Sequence, residues 1–440
     1  MELDNLEDWR KTHYTSEITP DMDGREVIIG GWVTKTKDLG GLTFFNLQDR
    51  EGSCQVTAKD DNPDIPDEVR SLITELGTMW AVLVKGKVRE EGRAPGGFEI
   101  IPIGIKVLNT TLQQLPLVEG QKAELDTRLN NRVLDLRLRK SQAIFKIQHE
   151  MLFGFRDYFN QNHFTEISTP KIIGSATEGG TELFPIIYFD QEAFLSQSAQ
   201  LYKEQLSSVF ENVYEIAFCY RAEKSHTKRH LCEILVLDLE MAFANMNDVL
   251  ETFEEALVHT LERINKECQP ELKGLQQKLF IPELPLPRYT YTEILDLLER
   301  KGKVSIEWGE DIDTEAYRKL DKILKGYYYI THWPTEQKPF YIMPSRKDPK
   351  VSESFDLQMG WLELASGGTR VHDKDILIKR LREKDLNPKS FEGHLKAFDF
   401  GMPPHAGLGF GIARFLTMIT GASDIREAVL YPRTPDRLSP

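Results

Sequence analysis

The chain has 440 residues, 40% of them hydrophobic and 28% charged, which are ordinary globular values for a protein of two or three domains. A formal net charge of −14 argues against a general nucleic-acid binder but not against recognition of one RNA through local basic patches. No run approaches the roughly 18 apolar residues of a membrane span, and the acidic N-terminus lacks a signal-peptide core. We expect a cytoplasmic protein without membrane association. The four scattered cysteines indicate neither a zinc site nor a disulfide framework.

Residues 1–115 are predicted to form a small β-barrel. A helix is predicted over 67–76, between the third and fourth of five strand patterns at 27–33, 43–48, 53–58, 79–88 and 98–102. This order is typical of an OB-fold, which often binds single-stranded nucleic acid on the face of its second and third strands. Phe44 and Gln55 lie on those strands, where an aromatic ring can stack on a base and an amide can read its edge. A purely structural barrel is the alternative.

A polar connector over 116–140 follows the barrel. Arginines recur in it from Arg128 to Arg139, which fits either a solvated hinge or a hinge that contacts an RNA backbone. A helix with one apolar face is then predicted over 140–160, followed by a strand that runs into Pro170.

A dense polar loop, 220–233, lies between two apolar strand patterns. Arginine forks bind phosphate bidentately and acids orient amines or metal ions, so the loop suits a nucleotide. A solvated hairpin tip is the alternative.

A glycine-rich strand, 401–411, enters a helix that carries Arg414 at the junction. Its glycines alternate at Gly407, Gly409 and Gly411, which is not the spacing of a dinucleotide fingerprint. Alternate glycines clear one face of a strand, so a flat adenine can lie on the backbone.

Three stretches resemble the motifs of class II aminoacyl-tRNA synthetases in their order. The helix and strand ending at Pro170 resemble motif 1, the 218–233 stretch resembles motif 2, and 401–414 resembles motif 3. Ala413 departs from the acidic residue usual before the arginine of motif 3, and no role is assigned to it.

The barrel and two further stretches resemble particular subgroups of the class II synthetases. Residues 31–55 resemble the anticodon-binding domain of class IIb synthetases, in which residues matching Phe44 and Gln55 recognise the central anticodon uridine. The stretches 176–184 and 194–204 are similar to those of aspartyl-tRNA synthetases of the archaeal and eukaryotic type, which usually carry proline where this chain has Ala199.

The resemblance implies an α+β protein. An OB-fold anticodon-binding domain would span 1–115, a hinge 116–140, and a catalytic domain 141–440 built on an antiparallel sheet flanked by helices. It implies a ligase that activates L-aspartate with ATP, uses Mg²⁺, and transfers aspartate to the 3′ end of tRNA(Asp). Motif 1 implies a homodimer formed through 140–170.

The resemblance also assigns roles to individual residues. Arg221 and Arg414 are expected to hold the α- and γ-phosphates, and Asp356 and Glu363 to hold Mg²⁺, which prefers hard oxygen ligands. The residues expected to bind aspartate are Glu178, Gln200, Lys203, Asp238, Ser366 and Arg370. Those expected to bind ATP are Arg221, Glu223, His226, Arg229, His230, Leu231, Glu363, Gly411 and Arg414. Those expected to contact the anticodon are Thr34, Phe44 and Gln55.

Three alternatives remain open at this point. Asparaginyl-tRNA synthetases share the architecture, but they typically lack the cation at Lys203 and carry Glu at the position of Asp238, so aspartate is favoured. An inactive RNA-binding or regulatory paralogue is disfavoured by the retained phosphate and metal residues. A tRNA-independent asparagine synthetase of this fold would lack the barrel.

The tRNA preference is a separate hypothesis. Archaeal relatives that reject tRNA(Asn) have a tryptophan at the position of Thr34, so we expect that tRNA(Asn) is charged as well as tRNA(Asp). A contact from the 89–95 loop is the alternative source of discrimination.

Overall fold

The computed structural model describes residues 2–112, 114–174, 182–223 and 230–440. The chain divides into two units, Met1–Val118 and Glu119–Pro440. In the described ranges, no helix is long and apolar enough to cross a membrane.

The first unit is a closed five-stranded barrel whose strands are ordered β1-β2-β3-β5-β4. Helix α1, Asp67–Glu75, lies between the third and fourth strands, as predicted. The strands are β1 Glu26–Asp38, β2 Leu42–Gln48, β3 Ser53–Lys59, β4 Ala81–Glu90 and β5 Phe98–Asn109. Side chains alternate between the two faces of each strand, so Phe45 and Leu47 of β2 point into the core of the barrel while Phe44 and Asn46 point outward. The predicted OB-fold is confirmed.

The second unit is built on an eight-stranded, mostly antiparallel sheet in the order β12-β13-β14-β15-β16-β11-β10-β6. A small sheet, β7-β9-β8, accompanies it. The strands are β6 Thr165–Glu166, β7 Ile172–Ile173, β8 Pro185–Tyr188, β9 Gln191–Leu195, β10 Asn212–Tyr220, β11 Glu233–Ala242, β12 Arg288–Thr290, β13 Tyr327–Thr331, β14 Ser354–Met359, β15 Leu362–Thr369 and β16 His405–Gly411.

Helices flank this sheet, and with it they confirm the predicted fold class. They are α2 Leu125–Asn130, α3 Arg132–Asp135, α4 Arg139–Gln161, α5 Gln200–Phe210, α6 Met246–Glu267, α7 Gln269–Gly274, α8 Tyr291–Leu297, α9 Thr314–Ile323, α10 Lys374–Glu383, α11 Glu392–Ala397 and α12 Ile412–Thr420. Helix α4 matches the helix predicted over 140–160, and its apolar face packs against α6 and the sheet through rings such as Phe155, Phe253 and Phe410.

Two arginines of the predicted connector are packed within the second unit. Arg132 is 2% exposed, forms an ion pair with Asp135, and donates to the Leu430 carbonyl oxygen at 2.7 Å. Arg128 binds Asp135 at 2.7 Å and Glu427 at 2.6 Å. These two guanidinium groups therefore hold the start of the second unit to its C-terminal segment, and a contact between the connector and an RNA backbone stays a prediction.

Candidate active site and nucleic-acid face

A cleft of about 420 Å³ opens on the sheet of the second unit. Its walls come from β10, β11, β15, β16, the start of α5 and residues 338–342. Most of the predicted residues in the described ranges line it: Gln200, Arg221, Glu223, His230, Leu231, Asp238, Glu363, Ser366, Arg370, Gly411 and Arg414. Glu178, His226 and Arg229 lie outside the described residues.

Two buried cations lie beside the cleft: Arg370 lines it, and Lys203 lies behind Asp238, which lines it. Lys203 of α5 is 1% exposed and donates from Nζ to Asp238 Oδ1 at 2.7 Å and to the Leu408 carbonyl oxygen at 2.9 Å. Arg370 is 2% exposed and binds Glu240 bidentately, with Nε···Oε1 at 2.9 Å and Nη2···Oε2 at 3.1 Å. Glu240 Oε2 is also 3.7 Å from Lys203 Nζ, so both cations share one acid network.

Strand register explains why these charges meet. Asp238 and Glu240 are two residues apart on β11 and project to the same side of the sheet. They lie opposite Gly409 and Gly407 of β16. A Cβ atom at Gly407 would come within 2.2 Å of Glu240 Oε2, so this glycine makes room for the carboxylate. Gly409 and Gly411 line the cleft itself, where the adenine-stacking role predicted for alternate glycines stays a prediction.

Two arginines, Arg221 and Arg414, also line the cleft. Arg414, at the start of α12, donates from Nη1 to the Glu363 carbonyl oxygen at 3.1 Å and lies 3.6 Å from its carboxylate. Arg221, at the end of β10, lies 3.9 Å from Glu223, and both side chains are partly open to solvent. The Arg221 backbone N–H donates to the Cys232 carbonyl oxygen at 2.9 Å, which joins the two sides of the motif 2 hairpin at this residue.

The predicted metal residues lie on neighbouring strands. Asp356 is on β14 and Glu363 on β15, and burial followed by the charge of Asp356 raises the pKa of Glu363. Glu363 nevertheless leaves 41% of its side chain open to the cleft. A cation between the two carboxylates would relieve this repulsion, and oxygen ligands suit Mg²⁺. Asp356 and Glu363 therefore fit Mg²⁺. A third charged residue, which was not predicted from the sequence, also contacts Asp356.

That third residue is Lys338, whose Nζ donates to both oxygens of Asp356, at 2.8 and 2.9 Å. It lies in the 242–345 region, where no local motif marks it. Glu240 was also missed, although its spacing of two from Asp238 on a predicted strand was a usable signal.

The barrel carries its own candidate surface. Phe44 pairs with Thr57 and Asn46 with Gln55 across β2 and β3, so all four project to the same side of the sheet, where Thr57 is buried. The Gln55 amide nitrogen donates to Thr57 Oγ1 at 3.0 Å and to Glu99 Oε2 at 3.2 Å, which fixes the orientation of the amide.

Thr34 lies beside this face, at a register shift between Val33 and Lys35. Its hydroxyl donates to the Asn46 carbonyl oxygen at 3.3 Å. The Thr34 hydroxyl is therefore already engaged with the backbone of β2.

A family model for class II tRNA synthetases (D, K and N) matches residues 124–435. The chain belongs to this family. A second model, for the OB-fold nucleic-acid-binding domain, matches residues 27–108 of the same synthetase. The family recognised from the three motifs is thereby confirmed, and with it ATP as a substrate.

Similar proteins cover the whole length of this synthetase. A relative from Methanothermobacter thermautotrophicus, named aspartate--tRNA(Asp/Asn) ligase, is 48% identical, and the match covers 99% of this chain and 100% of the relative. One from Archaeoglobus fulgidus with the same name is 46% identical and covers 97% and 99%. Among solved structures, asparaginyl-tRNA synthetase from Pyrococcus horikoshii complexed with asparaginyl-adenylate superposes with a TM-score of 0.94 at 31% identity, covering 98% and 100%.

Proposed function

We propose that this synthetase is an aspartate--tRNA ligase that activates L-aspartate with ATP and charges tRNA(Asp) and also tRNA(Asn). The observation that carries the amino-acid choice is the pair of buried cations, Lys203 and Arg370. In the described ranges, Lys203 commits two donor hydrogens, to Asp238 and Leu408, and Arg370 commits two of its five to Glu240.

The chemistry of the remaining donors favours aspartate over asparagine. Neither Lys nor Arg can accept a hydrogen bond, so both suit a carboxylate and neither satisfies the –NH₂ group of an asparagine side chain. Sites built on buried polar pairing discriminate by about 10⁴–10⁵ between substrates that are otherwise alike. Two relatives that are 48% and 46% identical to this chain also carry the aspartate name.

Asparagine is the second candidate, because a structure that superposes at TM-score 0.94 is an asparaginyl-tRNA synthetase. The test is pyrophosphate exchange with aspartate and asparagine in parallel, with and without tRNA. Exchange with asparagine alone would overturn the proposal. No exchange with either would support an inactive paralogue.

The reaction needs positioning and neutralisation of charge but no protein nucleophile, because the aspartate α-carboxylate attacks the α-phosphate of ATP, the bond to the β-phosphate breaks, and pyrophosphate leaves as aspartyl-adenylate forms. Arg221 is proposed to bind the α-phosphate and Arg414 the γ-phosphate, which is supported by the presence of both guanidinium groups in the lining of the cleft. Asp356 and Glu363 would hold Mg²⁺, which would neutralise phosphate charge. Lys338 would then exchange its contacts with Asp356 for contacts with substrate oxygens.

The barrel is proposed to bind the anticodon. Phe44 offers a stacking surface, worth about 1–3 kcal/mol per base. The Gln55 amide, oriented by Glu99 and Thr57, presents its oxygen to an N–H group such as that of uridine N3. Because the Thr34 hydroxyl is bonded to β2, it contributes little to telling the third anticodon bases of tRNA(Asp) and tRNA(Asn) apart.

The synthetase is further proposed to act as a homodimer through 140–170. Phe153 of α4 is 48% exposed and Ile172, just beyond Pro170, is 49% exposed, which gives this region apolar surface for a second copy. Mass measurement at micromolar concentration tests this, and a monomeric mass under active conditions would contradict it.

A further inference from the structure

A carboxylate and two imidazoles are buried together behind the cleft. Glu204 of α5 and His405 of β16 are 0% exposed, and His394 of α11 is 4% exposed. Glu204 Oε2 lies 3.3 Å from His394 Nε2 and 3.6 Å from His405 Nε2. The other oxygen, Oε1, accepts from the Gln200 amide nitrogen at 2.5 Å. The cluster therefore touches a residue that lines the cleft.

The neighbours of each ring determine where its hydrogens are. His405 Nδ1 is 2.8 Å from the Pro403 carbonyl oxygen, which only accepts, so Nδ1 carries a hydrogen. In the second ring, Gln205 donates one amide hydrogen to the Leu201 carbonyl oxygen at 2.9 Å and faces His394 Nδ1 at 3.3 Å with the other.

It follows that the two rings face Glu204 with different hydrogen-bonding requirements. His394 Nδ1 faces an amide N–H, so the hydrogen of that ring belongs on Nε2, which lies 3.3 Å from Glu204 Oε2. His405 in its neutral form would turn a bare Nε2 lone pair toward the Glu204 carboxylate, which is repulsive. Only the doubly protonated imidazolium of His405 presents an N–H group to both Pro403 and Glu204.

The charges around the cluster agree with this assignment. His405 is faced by Glu204 from α5, Glu240 from β11, His394 from α11 and His372, which follows β15. Burial lowers the pKa of His405, but its contact with Glu204 and the charges of Glu204 and Glu240 outweigh this, and the net direction is upward. Burial raises the pKa of Glu204, yet the two histidines bring it far below its usual range.

We propose that the buried Glu204–His405 ion pair is a positioning device for aspartate, in which Glu204 fixes the Gln200 amide and the His405 imidazolium keeps the buried network electrically neutral. The network otherwise holds three carboxylates, on Glu204, Asp238 and Glu240, against the two cations Lys203 and Arg370. A surplus negative charge there would oppose an anionic substrate. This inference rests on the proposed choice of aspartate.

Two contacts connect the pair to substrate binding. Because the Gln200 nitrogen donates to Glu204, the amide oxygen is the end left to accept from the substrate ammonium group. The His405 carbonyl oxygen accepts from the Arg370 backbone N–H at 2.8 Å, so the residue that carries the imidazolium also fixes the backbone of the substrate-binding arginine.

The test uses two variants of the full-length synthetase, Glu204→Leu and Glu204→Gln, in pyrophosphate exchange between pH 6.5 and 9. Glu204→Leu leaves Gln200 without its acceptor, so KM for aspartate should rise about tenfold while KM for ATP stays within about twofold. Glu204→Gln keeps an acceptor for Gln200 and should leave KM for aspartate near the wild-type value at neutral pH.

The pH profile separates positioning from a merely structural role. In the wild type, KM for aspartate should rise about tenfold per pH unit above the pKa of His405, because deprotonation leaves a surplus carboxylate. In Glu204→Gln the profile should be flat relative to wild type, since no such carboxylate remains. Glu254→Leu is the matched control: it removes another buried carboxylate, paired with Arg288, and should lower thermal stability without changing either KM.

Nitrogen NMR of the His405 ring tests the pair directly, independent of any substrate. Both ring nitrogens should be protonated at pH 7 in the wild type, and only Nδ1 in Glu204→Gln. A singly protonated His405 in the wild type, or identical pH profiles in wild type and Glu204→Gln, would overturn the inference. If wild type fails to activate aspartate, the proposed function is wrong, whereas the protonation state of His405 still decides the ion pair.

Discussion

Replacing Lys203 by methionine should separate amino-acid selection from nucleotide binding. The substitution keeps the length of the side chain and removes one charge at a position that is 1% exposed. Asp238, 5% exposed and 2.7 Å from Lys203 Nζ, would then face the incoming aspartate without its partner. Breaking one side of a buried charge pair costs about 2–5 kcal/mol in binding, so kcat/KM for aspartate should fall by a factor between about 30 and about 5,000.

The assay is ATP–pyrophosphate exchange with aspartate and asparagine, together with a thermal melt. Arg288→Met is the matched control, because it breaks an ion pair with the buried Glu254 and does not line the cleft. Lys203→Met should lose the preference for aspartate while KM for ATP changes little. An equal loss for both substrates, or no loss, would refute it.

Three further predictions follow from other parts of the molecule. Asp356→Ala and Glu363→Ala should each abolish adenylate formation while leaving tRNA binding nearly intact, and normal pyrophosphate exchange in both would show that these acids are structural. Thr34→Trp should shift aminoacylation toward tRNA(Asp), as measured with tRNA(Asp) and tRNA(Asn) transcripts side by side. If the wild type already prefers tRNA(Asp) by more than about a hundredfold, or ~2.7 kcal/mol, relaxed tRNA specificity is ruled out. Asp49→Asn should destabilise the barrel by about 1–3 kcal/mol in chemical denaturation at pH 7, because Asp49 accepts from Lys11 and Thr15.

The Asp49 prediction has a sign that pH can check. Burial raises the pKa of this carboxyl, but hydrogen bonds from Lys11 and Thr15 outweigh it and the net direction is downward. A carboxylate whose folded pKa is depressed stabilises the fold above its unfolded pKa, and the contribution is lost as pH falls through the folded value. The wild-type barrel should therefore lose stability relative to Asp49→Asn on acidification below about pH 4, and parallel curves would contradict the assignment.

The order of strands and helices was predictable because the sequence signals were local. Alternation in β2 and the apolar face of α4 each repeat over several turns or residues, so the pattern alone identifies the element. The end of β1 was harder to predict from the sequence. It extends to Asp38 past the irregularity at Thr34, which depends on pairing with β2.

The site was predictable where chemistry is carried by a motif and not where it depends on contacts across the fold. Lys203, Asp238 and Arg370 were predicted through the resemblance, and they converge at the cleft. Lys338 could not be predicted this way, because it lies 18 residues before Asp356 in the sequence and only the fold brings the two side chains into contact. The packing role of Arg132 could not be predicted for the same reason, because its partners Val429 and Leu430 lie nearly 300 positions away.

Selection of the amino acid and selection of the tRNA depend on interactions of different strength in this synthetase. In the cleft, a wrong substrate leaves buried ionic donors without an acceptor, and such donors cost several kcal/mol because water cannot replace the lost partner. On the barrel, Thr34 contributes at most one neutral hydroxyl, which is already bonded to Asn46, and a neutral hydrogen bond is worth only about 0.5–1.5 kcal/mol. Strict selection of the amino acid can therefore coexist with relaxed selection of the tRNA. Lys203 and Thr34 lie in separate units, so their contributions to the free energies of amino-acid and tRNA binding are independent.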